Sequence, residues 1–208
     1  MQTKMIAALV AMTACSPLLA QQPDGDWMIR ARVVNIDTAN KSDAIPALGV
    51  ASDDIHVSSK AIPELDISYF FTKNIAAELV LTYPQEHNVS VAGTKIGTVR
   101  ELPPTLLLQY HFMPDAQFRP YVGAGINYTR FSSVDLNVPG VGDLEVDKDS
   151  FGLALQVGMD VQLSKQWFFN VDLKKVKMGT DVKLAGGGKV SSIDIDPWLF
   201  GIGLGYRF

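Results

Sequence analysis

Two groups of residues in this 208-residue chain have side chains suited to chemistry. The first is His56 and His87, with Asp53, Asp54, Ser58 and Glu86 nearby. These are the types from which a hydrolase assembles nucleophile, base and orienting acid. Their spacing assembles nothing of the kind, and two histidines without a compact ligand motif define no metal site. The sequence therefore predicts no catalytic residue, no metal and no cofactor. Gly123, Gly125, Gly201, Gly203 and Gly205 recur at every second position, which is strand alternation and not a dinucleotide fingerprint. The second group is a set of ions set into apolar, alternating segments: Arg30, Glu78, Asp160, Asp172, Lys174 and Arg207. Charges in such segments must point away from the apolar face and find partners, because an isolated buried ion is expensive.

The element that must position them is clearest in the last eleven residues. Trp198, Phe200, Ile202, Leu204, Tyr206 and Phe208 fall on one face, and Leu199, Gly201, Gly203, Gly205 and Arg207 on the other. The large apolar face carries no charge and the small face holds the only ion. That arrangement suits a barrel with hydrocarbon outside. The terminal Phe208 and the aromatic face above it resemble the assembly signal that barrel-assembly machinery reads.

At the other end, Lys4, the apolar run Met5–Ala14 and the exit Leu18-Leu19-Ala20 predict a cleavable export signal over 1–20 and a barrel over 21–208. A second reading makes Met12-Thr13-Ala14-Cys15 a lipidation box on Cys15. Without residues 1–20 the chain keeps 17 basic against 22 acidic residues, a net charge of −5, which argues against nucleic acid. Cys15 is the sole cysteine, so the mature chain has no disulfide framework.

Alternating segments recur at 27–36, 64–71, 75–83, 105–112, 120–131, 150–162, 167–178 and 198–208. Three connections are short and carry turn residues: Thr72-Lys73-Asn74, Met113–Arg119 and Ser164-Lys165-Gln166. Four are long, near 37–62, 84–104, 132–149 and 179–192. The expected fold is all-β, an eight-stranded antiparallel transmembrane β-barrel with long extracellular loops and short periplasmic turns.

Three stretches carry a family resemblance: Leu102-Pro-Pro-Thr-Leu106, Phe118-Arg-Pro-Tyr-Val-Gly-Ala-Gly-Ile-Asn-Tyr-Thr129, and Asp196-Pro-Trp-Leu-Phe200 followed by Gly205-Tyr-Arg-Phe208. The chain resembles the OmpW family over nearly all of its mature length. The resemblance implies a Gram-negative outer-membrane barrel associated with uptake of small hydrophobic molecules, and in some members with recognition by bacteriocins or phage.

The inward positions give an independent test of that implication. In the outer half they are Val34, Ile36, Val80, Leu107, Phe131, Val176, Met178, Ile193, Ile195, Pro197 and Leu199, interrupted by Glu64, Asp66 and Thr82. These are expected to form an apolar funnel. In the periplasmic half Arg30, Glu78, Asp160, Asp172, Lys174 and Arg207 are expected to plug a lumen only wide enough for side chains. A molecule stopped above that plug would have to leave sideways into lipid, through a wall weakened where Pro63, Pro84, Pro103, Pro104 and Gly179 lie at the loop ends. In the alternative readings the apolar residues only fill space, or the barrel is a passive surface protein whose loops are a docking site.

Overall fold

Trp27–Asp37 alternates exposed and buried residues along its whole length, the mark of a strand with unlike surroundings on its two faces. The computed structural model describes residues 25–46, 49–138 and 142–208. The export signal read at 1–20, Cys15 included, lies outside the described residues.

Eight strands form the wall: β1 (Trp27–Asp37), β2 (Lys60–Phe70), β3 (Ile75–Leu81), β4 (Thr105–His111), β5 (Phe118–Val138), β6 (Asp149–Gln162), β7 (Trp167–Val176) and β8 (Trp198–Arg207). Each pairs antiparallel with the next. β8 closes on β1 in a register running from Met28↔Arg207 to Asp37↔Trp198, so the wall has no free edge.

Outward positions are apolar, as a barrel in hydrocarbon requires: Val33, Leu65, Leu79, Leu106, Ile126, Leu155 and Ile202 are all exposed. Trp198, Phe200, Leu204 and Phe208 share this face, and Tyr206 stacks on Phe208 at 6.0 Å. Aromatic rings gather at its two rims. Trp27–Tyr69, Tyr110–Phe112 and Trp167–Tyr206 meet at the periplasmic rim, and Tyr128–Phe151 at the outer rim.

The long connections differ from the irregular loops expected. β2 begins at Lys60 and β5 runs on to Val138. Between the wall strands lie shorter ones, Lys41–Ser42, Ile55–Val57, Gln85–Val91, Thr94–Leu102, Gly142–Val146, Gly179–Leu184 and Lys189–Asp194. They pair in the spatial order 41–42, 189–194, 179–184, 142–146, the upper part of β5, 94–102, 85–91, 55–57. The two ends meet through side chains: Val57 N–H donates to Asn40 Oδ1 at 2.7 Å and Ile55 N–H to Ser42 Oγ at 3.4 Å. A second tier of sheet, a cup, thus stands on the barrel and continues its lumen upward. Its inward residues include Ile55, Val57, Val89, Leu136, Leu144 and Val182.

Candidate functional site

The lumen is closed at mid-height by ions. Arg30 on β1 holds Asp160 with two donors, Nη2 at 2.7 Å and Nε at 3.2 Å, and reaches Glu78 at 2.8 Å. Arg32, two residues on and therefore on the same face, contacts Asp66 at 2.5 Å, Asp172 at 3.1 Å, Glu78 at 3.2 Å and Glu64 at 3.3 Å. Lys174 bridges Asp172 at 2.6 Å and Glu64 at 2.8 Å. Five carboxylates therefore face three cations, all buried. Neutral donors make up part of the difference. Ser68 and Gln156 donate to Glu78, Gln156 and Tyr121 to Asp172, and Asn170 to Asp160. Each ion is far from water, so the arrangement holds only because its members are mutually satisfied.

Room for the two arginines comes from β8, whose inward residues opposite them are glycines. Gly203 pairs with Arg32 and Gly205 with Arg30. A Cβ on Gly203 would lie 2.8 Å from Arg32 Cγ. The small face of β8 is thus the space into which the neighbouring guanidinium stems fold.

Arg207, grouped with these charges by sequence, stands apart from them. It lies toward the periplasmic end, with its guanidinium 3.8 Å from the Phe70 ring centroid and Nε donating to the Gly25 carbonyl. It belongs to an aromatic layer below the ions, with Phe70 against His111 at 5.0 Å and His111 stacked on Tyr121 at 4.9 Å. Glu64 and Asp66 also differ from their reading as interruptions of an apolar lining. They are acids of the ion cluster.

Above the ions the lumen is mainly apolar. Val80, Leu107, Phe131, Val176, Met178, Ile193 and Ile195 are buried together, with Leu199 packed against them. Val34 and Ile36 join Ile62 and Leu199 in an adjoining group. A narrow lower cavity of about 20 Å³ rests directly on the cluster, with Glu64 and Lys174 in its floor, mainly apolar walls that include Ile36, Val80, Val176 and Met178, and a polar side at Thr82, Glu101, Thr105 and Asn127. A second of about 30 Å³ lies within the cup, lined entirely by aliphatic residues, among them Ile45, Ile55, Val89, Leu136, Leu144, Val182 and Ile193. Sequence reasoning left most of these cup residues in loops. The signal was present in the short alternations Ile55-His-Val57 and Val89-Ser-Val91.

Beside the lower cavity the wall's hydrogen-bond ladder is interrupted. The β2–β3 ladder ends at Leu65↔Leu81 and the β3–β4 ladder at Val80↔Thr105, and pairing resumes only at Gln85↔Glu101. Thr82, Tyr83 and Pro84 lie in no strand. Pro84, Pro103 and Pro104 have no N–H to give a ladder. The Pro104 carbonyl accepts the Tyr128 N–H at 3.1 Å, and the Pro103 carbonyl is met by Thr105 Oγ1 and by Asn127 Nδ2, each at 3.3 Å.

His56 is exposed, whereas His87 is buried on the inner side of the cup strand Gln85–Val91. Its Nδ1 donates to the Ser58 carbonyl at 2.7 Å and its Nε2 lies 3.4 Å from Glu101 Oε1. His87, within the connection 84–104, is thus a packed residue, because its strand turns positions 85, 87 and 89 inward. Among the described residues no group of three or more His, Cys, Asp or Glu side chains is arranged to hold a metal ion.

Known proteins share this architecture. Outer membrane protein W of Vibrio cholerae is 35% identical over 97% of this chain and 96% of its own. A protein of Pseudomonas aeruginosa named dibenzothiophene metabolism operon protein PahQ is 30% identical over 69% of each chain. The crystal structure of the outer membrane protein OprG from Pseudomonas aeruginosa superposes with a TM-score of 0.78 at 32% identity, covering 91% of this chain and 99% of that one. The barrel is therefore an outer-membrane barrel of the Gram-negative type. With the OmpW family model matching residues 23–208, the chain belongs to the OmpW family.

Proposed function

We propose that the barrel takes small hydrophobic molecules from outside the cell through the apolar cup into the lower cavity and releases them sideways into the outer membrane. The observation that carries this reading is the juxtaposition of three features at one height: an apolar cavity, an ion-sealed floor beneath it, and a gap in the ladder beside it. A solute entering from above meets charges that it cannot cross without desolvating them. The wall at 82–84 holds no ladder bonds that would have to break. The name of the PahQ relative, which refers to the metabolism of a fused aromatic thioether, agrees with an apolar cargo.

The lining residues of the lower cavity, Val80, Val176 and Met178 above all, would act as the funnel, and Glu64 with Lys174 as its floor. The experiment is uptake of labelled naphthalene by cells displaying the protein. Val182→Asp in the cup and Met178→Asp below it should each lower uptake while the barrel still shows heat-modifiable migration, since neither touches the lipid-facing wall. Replacing Pro103 and Pro104 together by Val restores the missing N–H groups on the segment that borders the gap and should lower uptake as well. Normal uptake in folded variants of both kinds would overturn the transport reading. It would leave a surface barrel read by phage or bacteriocin, with sensitivity following deletion of the long loops.

A further inference from the structure

The lower cavity is not uniformly apolar, and its polar atoms stand together. Among the described residues five buried side-chain atoms have no hydrogen-bond partner, and two of them, Glu64 Oε2 and Thr82 Oγ1, belong to residues that line this cavity. The register explains why they are near each other. Leu65 is the last residue of β2 paired with β3, opposite Leu81, so extending that register by one position sets Glu64 against Thr82. Both line the lower cavity at the first position beyond the paired ladder, beside the gap. Glu64 Oε1 is committed to Lys174 and Arg32, and its other oxygen is left over. Leaving a buried carboxylate oxygen without a donor is costly, and apart from Thr82 the cavity's other residues offer it none: they are aliphatic, or bonded elsewhere as Thr105 and Asn127 are, or, like Glu101, acidic.

We propose that Glu64 and Thr82 form a head-group site that receives a hydrogen-bond donor on one end of an otherwise apolar molecule, such as an aliphatic primary alcohol or amine, at the point where the molecule leaves the lumen. The inference rests on the conduit reading and names its substrate class. The local charge fixes the polarity of the head. Five carboxylates face three cations in the cluster below, so a hydroxyl or ammonium is accepted and a carboxylate is repelled. A straight chain above the head would lie along Ile36, Val80, Val176 and Met178.

The test uses the full mature chain in lipid nanodiscs with ¹³C-methyl methionine. Met178 lines the cavity, while Met159 faces outward from β6 and reports partition into lipid. Titrations with n-octane, 1-octanol, 1-octylamine and octanoate are compared at equal aqueous activity. Octanol and octylamine should shift Met178 at roughly tenfold lower activity than octane, the size expected for one hydrogen bond to a charged acceptor, and octanoate should not shift it. The octanol-to-octane ratio should fall by about threefold in Thr82→Val, which removes the hydroxyl and keeps Glu64, and be kept in Thr82→Ser. Thr82 Oγ1 has no partner, so the Val variant loses no hydrogen bond and should fold. Equal response to octane and octanol in the parent protein would overturn the head-group site and leave the conduit standing, with water on the two atoms. No response of Met178 to any of the four would overturn both.

Discussion

Tyr121 lies flat across Gly158, its register partner on the neighbouring strand, so closely that a Cβ on Gly158 would fall 2.3 Å from the ring's Cζ. The ring is fully buried, stacks under His111 and hands its hydroxyl to Asp172 at 3.1 Å. Gly158 is therefore the space in which the floor of the ion cluster is built. Gly158→Ala should destabilise the barrel by about 1–3 kcal/mol in a urea titration with lipid vesicles, because the ring can move only by giving up Asp172. Gly188→Ala, where nothing lies within 4 Å of the added methyl, is the control and should leave the midpoint unchanged. Equal midpoints for the two variants would refute the packing argument.

Arg32 contacts four of the cluster's five carboxylates. Arg32→Met removes the cation and leaves the acids buried, which should cost about 3–5 kcal/mol. Pairing it with Asp66→Leu should recover part of that loss, since Asp66 is the acid held closest to Arg32. A double variant less stable than the single one would show that Asp66 is held by something other than this guanidinium.

The wall was legible in the sequence because a closed barrel in lipid forces strict period-two alternation, and residues such as Leu155 and Gln156 can be sorted by parity alone. The cup was not, because its strands are as short as the two residues Lys41–Ser42 and meet across long separations in sequence. Inward charges were legible as inward, but their height was not. Arg207 sits at the last position of β8 and Arg30 near the first of β1, and only the stagger of the closed sheet sets Arg207 among aromatics and Arg30 among acids. Glu64 looked like an interruption of an apolar lining because the sequence does not show that Arg32 stands opposite it in the β1–β2 register.

Leu155 faces outward near mid-height of β6, and Met113 lies exposed in the periplasmic link between β4 and β5. Arg at Leu155 should cost roughly 2–4 kcal/mol and Arg at Met113 about 0–1, following the depth dependence of charge in a bilayer. The comparison is a refolding titration into vesicles. A greater cost at Met113 would place the membrane band elsewhere on the barrel.

The cluster spans the lumen from β1 to β7, and its cations are each held by two or more carboxylates, so no mobile counter-charge lines a water path. An eight-stranded barrel is in any case only about wide enough for its own side chains. Planar-bilayer recordings of the parent protein should show small, infrequent currents. Lys174→Ala removes the upper bridge between Glu64 and Asp172 and enlarges the floor of the lower cavity, while Arg30 and its partners remain in place beneath. It should therefore raise the frequency of brief openings without producing a steady pore. Large, ohmic, ion-selective currents from the parent protein would mean that these charges line water instead of pairing, and the barrel would then be a diffusion pore.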